Sequence, residues 1–163
     1  IDILIKAASL INTKIVIAGS LPNHKTIPHY YKKLLNQNII FTGFITSIDK
    51  ENLLKKCVGV ILPSHLRSEA FGMILVEACM YGKPMITCEI GTGTSFVNIN
   101  GETGFVVPPK RPDAIAKAMN ILLSDPLLAN AFGKAARTRY EKKFSGTKLG
   151  IAYNSLYKNM LKY

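Results

Sequence analysis

The sequence predicts the α/β class, a Rossmann-like doubly wound parallel sheet with helices on both faces. Three observations carry that expectation. Short runs rich in Ile and Val alternate with longer segments of helical periodicity, which calls for crossover connections and hence parallel strands. One run, Val58 to Leu62, has no polar side chain, as a strand covered on both faces requires. The loops rich in glycine and hydroxyl residues follow the strands, which is where open parallel sheets place their ligands.

Taken in order, Ile3 to Ile11 reads as a helix and Lys14 to Ala18 as a short strand. Ile27 to Asn36 is helical, with Pro28 in the first turn where its missing N–H costs nothing. Ile39 to Thr42 is a strand ending at Gly43, and Asp49 is expected to cap a helix running to about Lys56. Val58 to Leu62 reads as a fully buried strand. A helix begins near Gly72, with Met73 to Met80 expected to be buried on nearly every face, and Pro84 to Cys88 and Phe105 to Val107 are the next strands. Helices fill the remainder, starting at Pro112-Asp113 and Asp125-Pro126. The chain opens directly in a helix, so the strand that a doubly wound domain places first is expected to be missing.

The stretch from Pro63-Ser64 to Gly82-Lys83-Pro84 carries the chemistry. Glu69 stands just before its helix and Glu77 five residues inside it, about 7 to 8 Å along the axis. A carboxylate inside an apolar helix is costly to bury unless something polar meets it. Unpaired N–H groups at a helix start attract phosphate, and Gly72 lets a ligand approach the backbone. Carboxylates accept hydrogen bonds from hydroxyls and repel phosphate, so the pair suits a nucleotide-sugar diphosphate, one acid on the sugar and one on the ribose. The bland alternative puts Glu77 on a narrow wet stripe and leaves Glu69 as an ordinary acid favouring the helix dipole.

At these residues the chain resembles the retaining glycosyltransferases of family 4, which have the GT-B architecture. Every element of their frame is present, from Pro63-Ser64 through Glu69-Ala70-Phe71-Gly72 to Glu77-Ala78 and Gly82-Lys83-Pro84. The likeness extends to Ile17-Ala18-Gly19, Ile40 to Phe44, Gly101 to Pro108 and Arg139 to Ser145, covering almost the whole chain. It implies that residues 1–163 are the C-terminal, donor-binding domain of a GT-B enzyme whose N-terminal acceptor domain is absent from this chain. It implies Glu69 as the catalytic residue against the donor sugar and Glu77 on the ribose hydroxyls. Ala70, Phe71, Gly72 and Met73 would meet the phosphates and sugar, and the backbone at Phe44 and Ile45 the nucleobase. Gly19 and Gly43 end strands at the same cleft, although a plain strand-ending turn explains Gly43 equally well.

The loop Glu89 to Ser95 departs from the commoner family pattern of two adjacent glycines, then Pro or Ala and a Glu. Thr92 and its neighbours either approach the donor sugar and phosphate or build a tight turn before Phe96. The loop is similar to those of bacterial mannosyltransferases that build O-antigen and related surface polysaccharides, so the resemblance implies GDP-mannose as donor and a glycan or lipid-linked acceptor. It implies no cofactor and no metal. The family's Gly-Arg and Lys, which contact the donor diphosphate, cannot be assigned here. Two other readings stay open: a nucleotide-sugar-binding module without turnover, and a GT-B phosphorylase or a relative of sucrose synthase.

Composition narrows the classes. The 163 residues are 48% hydrophobic and 19% charged, enough for one core. Cys57, Cys79 and Cys88 fit neither a zinc pattern nor a full disulfide framework, which points to a reducing cytoplasm. No apolar run has spanning length, and no basic-then-apolar leader opens the sequence. Lys and Arg number 21 against 10 acids, a net charge of +11 that favours anionic partners. Nucleic acid lacks any accompanying motif. The alternatives are an anionic membrane surface, met by basic residues such as Lys142, Lys143, Lys148 and Lys158, or a solvated basic face. His24, His29 and His65 lack metal-ligand spacing, Ser64 lacks a nucleophile elbow, and no phosphate loop of the GxxxxGK[ST] type occurs.

Overall fold

The computed structural model describes residues 1–19 and 38–161, and the helix expected over Ile27 to Asn36 lies outside them. The elements are α1 (Asp2–Ala8), β1 (Ile15–Ala18), β2 (Ile39–Gly43), α2 (Ser47–Lys56), β3 (Val60–Leu62), α3 (Met73–Met80), β4 (Met85–Cys88), α4 (Thr94–Val97), β5 (Gly104–Val107), α5 (Pro112–Ser124), α6 (Pro126–Arg139), a π-helical turn at Tyr140–Phe144 and α7 (Gly146–Met160). All described strand pairs are parallel, as the alternation of runs predicts. β1 pairs with β2, and β3, β4 and β5 form a second sheet in that order.

All four residues of β4 are buried, so its side chains must alternate between two cores. Ile86 and Cys88 join Leu4, Ile15, Ile115, Met119 and Phe132, drawing α1, α5 and α6 onto one face. Phe105 meets Phe132 there edge to face, ring centroids 5.4 Å apart. Met85 points the other way, to Leu75, Cys79 and Val97, which hold α3 and α4 against the opposite face, and Ala136 of α6 joins that core as well. The helices thus lie on both faces.

Several boundaries differ from expectation for local reasons. α1 stops at Ala8, where the Ser9 hydroxyl donates to the Lys6 carbonyl. The cap of α2 is Thr46 and not Asp49: the Thr46 hydroxyl accepts from the Asp49 N–H at 3.1 Å, and the Asp49 carboxylate accepts from the Thr46 backbone N–H at 3.4 Å. This is a capping box with Asp in its third position. β3 begins at Val60, and its residues are half-buried instead of fully buried, with Val58 54% exposed. The reason is its position. The edges of β1 and β3 that pair with no described strand both line one apolar cleft of about 560 Å³, together with residues such as Leu4, Ile86, Met119 and Leu122. Pro112 and Pro126 do open α5 and α6, and the Asp125 side chain accepts from the Leu128 N–H at 2.9 Å.

The turn joining α4 to β5 is fixed by a buried polar cluster. The Asn98 amide donates to the Thr87 hydroxyl at 2.9 Å and the Phe105 carbonyl at 3.0 Å, while its oxygen accepts from the Thr103 hydroxyl at 2.9 Å. Thr103 in turn accepts from the Ile99 N–H at 2.7 Å. Each group satisfies another, so removing one member strands the rest. Asn98→Ala is expected to destabilise the fold by about 2 to 4 kcal/mol, the cost of one or two unsatisfied buried groups. Urea unfolding should show a lower midpoint at unchanged slope.

Candidate functional site

The loops that leave the carboxyl ends of β1 to β4 gather the residues singled out in the sequence. Gly19 follows β1 and its N–H donates to the Gly43 carbonyl at 2.9 Å, so the ends of β1 and β2 are tied together. Phe44, 87% exposed, and Ile45 come next, and Ile45 lines the cleft between the sheets with Ala18 and Pro63. β3 leads into the loop carrying Ser64 to Glu69. There Ser64, His65, Leu66, Ser68 and a half-buried Glu69 line a shallow, open pocket of about 210 Å³.

Gly72 begins α3 as expected, in the left-handed conformation at φ +78°. A side chain there would be strained and would press on Leu62 at 2.7 Å, which explains the glycine. α3 is not buried all round. Met73 is 65% exposed and Met80 41%, and Glu77 shares their stripe with its side chain 32% exposed. The wet-stripe alternative describes the surroundings of Glu77 correctly. Its carboxylate is nevertheless partnered, by the Lys50 ammonium of α2 at 2.8 Å on Oε1.

The Glu69-to-Gly72 loop is fixed from behind. The Gly93 N–H donates to the Ala70 carbonyl at 2.8 Å, bringing Thr92 beside Ala70 and Phe71. Thr92 and Thr94 share a hydroxyl contact at 3.3 Å, and Glu89 Oε1 accepts from the Gly91 N–H at 2.9 Å and the Ser95 hydroxyl at 3.1 Å. The tight-turn reading of this loop therefore describes its geometry, and through Gly93 the loop also touches Ala70 and Phe71. Phe71 packs with Phe96 and Phe144 at centroid distances of 6.5 and 6.2 Å, and Arg139 lies over Phe96 at 5.1 Å. Arg139 also donates to the carbonyls of Phe96 and Val97. The late Arg139-to-Phe144 motif thus holds the π-helical turn against the loops and has a structural task.

Three residues with a task here escaped the sequence reading: Lys50, Glu89 and, in its actual role, Lys83. Lys83 donates to the carbonyls of Lys55 and Cys57, both at 2.8 Å, closing the C-terminal end of α2. No local signal marks the two lysines, because their partners lie 26 to 28 residues away. Behind α3, burial pushes the Cys79 thiol up to about 11, against a smaller opposing pull from Arg139, so it stays protonated at neutral pH. Among the described residues no group of three His, Cys, Asp or Glu is placed to hold a metal ion, and no helix is long and apolar enough to cross a membrane.

With this geometry in place, the comparisons agree with one another. The family model "Glycosyl transferases group 1" matches residues 1–139. O-antigen chain mannosyltransferase C of Escherichia coli is 38% identical over 161 residues, 99% of this chain and 43% of that protein. D-rhamnosyltransferase WbpZ of Pseudomonas aeruginosa is 43% identical over 145 residues, 89% of this chain and 38% of that protein. The chain therefore spans under half the length of these relatives. Among solved structures, the sucrose-phosphate synthase of Thermosynechococcus elongatus superposes with a TM-score of 0.85 at 26% identity, covering 99% of this chain and 42% of that one.

The clamp between loops generates a prediction. A Cβ at Gly93 would lie 2.5 Å from the Phe71 ring and 2.9 Å from the Ala70 carbonyl. Gly93→Ala should force the loops apart at about 1 to 3 kcal/mol, and amide exchange should report lost protection at residue 93 while β4 and β5 stay protected.

Proposed function

The chain belongs to the group 1 glycosyl transferases, and from that premise we propose that it binds the donor of a retaining hexosyltransferase and supplies half of its active site. The observation that carries this reading is the placement of Glu69 before, and Glu77 within, a helix opened by a left-handed Gly72. The backbone N–H groups at the start of α3 take the diphosphate, Glu77 accepts from the ribose hydroxyls, and Glu69 accepts from the donor sugar. The Gly43-to-Ile45 backbone meets the base, while Gly19 and Thr92 border the phosphates and sugar. Rate enhancement then comes from positioning and from stabilising the departing diphosphate, with no metal.

The donor best supported is GDP-mannose, on the likeness to the E. coli mannosyltransferase and on the Glu89-to-Ser95 loop. A second reading, a D-rhamnose donor, is favoured by the higher identity to WbpZ. Residues 1–163 are proposed as the donor-binding domain, with a glycan or lipid-linked acceptor held by a further domain. The edges of β1 and β3 that pair with no described strand line one apolar cleft and suit one more parallel strand. Work at the cytoplasmic face of a membrane is supported by Lys148 and Lys158 on α7, beside exposed Leu149, Tyr153, Leu156 and Met160.

Glu77→Ala is expected to weaken nucleotide binding by about 1.5 to 3 kcal/mol, the loss of charge-assisted hydrogen bonds, whereas Glu69→Ala should act on turnover. Calorimetry and single-turnover assays separate the two. Side-by-side titration of GDP-mannose, a nucleotide-linked D-rhamnose, UDP-glucose and UDP-N-acetylglucosamine, with and without magnesium, tests the donor. A clear uridine preference would remove both guanosine-linked mannose and its support from the loop. A strict magnesium requirement would overturn the metal-free mechanism.

A further inference from the structure

The ion pair between Lys50 and Glu77 joins two helices across 27 residues of sequence. Resting on the donor-site reading above, we propose that Lys50 is a positioning residue that aims the Glu77 carboxylate at the ribose diol of the donor. Lys50 stands in the first turns of α2, directly after the Gly43-to-Ile45 loop, and the Thr46–Asp49 capping box fixes the base from which it reaches. Its ammonium donates to Glu77 Oε1 at 2.8 Å. On α3 the neighbours of Glu77 along the exposed stripe are Met73 and Met80, whose thioethers donate no hydrogen bond.

A stabilising role does not account for the pair. The two side chains are 44% and 32% exposed, and ion pairs so accessible contribute little to folding. What the contact fixes is direction. A carboxylate has about four acceptor positions, and the ammonium takes one, leaving capacity for two vicinal hydroxyls. Lys50 also offsets the Glu77 charge, which would otherwise repel a diphosphate drawn to the start of α3.

The test compares nucleotides that differ only in the diol. The protein and its Lys50→Met, Lys50→Arg and Glu77→Ala variants are titrated with GDP and UDP, and then with the 2′,3′-dideoxy form of whichever binds better. Lys50→Met is expected to weaken the ribonucleotide about 5- to 10-fold and the dideoxynucleotide less than twofold, and Lys50→Arg should recover most of the loss. Equal loss on both nucleotides, or none on either, overturns the assignment of Lys50. Should Lys50→Met fold poorly, Lys50→Gln read against Lys50→Arg gives the same comparison. If Glu77→Ala leaves ribonucleotide affinity unchanged, the donor-site reading itself fails, a result separable from failure of Lys50 alone.

Discussion

Because β4 is buried along its whole length, its four side chains must serve two cores at once, and this division orders the rest of the molecule. Ile86 and Cys88 commit one face to α1 and α5, Met85 commits the other to α3 and α4, and α6 reaches both cores through Phe132 and Ala136. Thr87, on the same face as Met85, is the one polar side chain of the strand, and it is accommodated by Asn98. A sheet committed in this way leaves its carboxyl end free of packing duty. The loops there can carry polar and strained residues that a core would reject.

Those loops are held by few contacts, each between segments far apart in the chain. The Gly19–Gly43 bond unites the first sheet's exits, the Ala70–Gly93 bond unites the second sheet's, and Lys50–Glu77 joins the helices that follow them. The aromatic cluster around Phe71 and Arg139 is the backing on which the Glu69-to-Gly72 loop rests. The absence of a side chain at Gly93 is what lets the Phe71 ring and the Ala70 carbonyl come so close.

The sequence was legible where information is local. Strand and helix alternation, the helix start at Gly72, the prolines opening α5 and α6, and the family follow from residues adjacent to one another. Thr46 was overlooked because Asp49 satisfies the same capping rule three residues later, and only the hydroxyl geometry decides between them. The exposure of β3 was misjudged because an apolar run tells nothing about which edge of a sheet faces a cleft. Met73 and Met80 read as core residues from hydropathy, although they form the exposed stripe beside Glu77. Lys50 and Lys83 resemble ordinary solvated lysines until the fold brings their acceptors within reach.

The two lysine contacts on α2 also have a mechanical meaning. Near its start the helix is pinned to Glu77 through Lys50, and at its end Lys83, just beyond α3, grips the carbonyls of Lys55 and Cys57. The pins stand about 8 to 10 Å apart along the helix at 1.5 Å per residue. A bar pinned once can pivot, whereas a bar pinned at both ends cannot. The two contacts therefore couple the position of α2, and with it the Gly43-to-Ile45 loop that precedes it, to the position of α3.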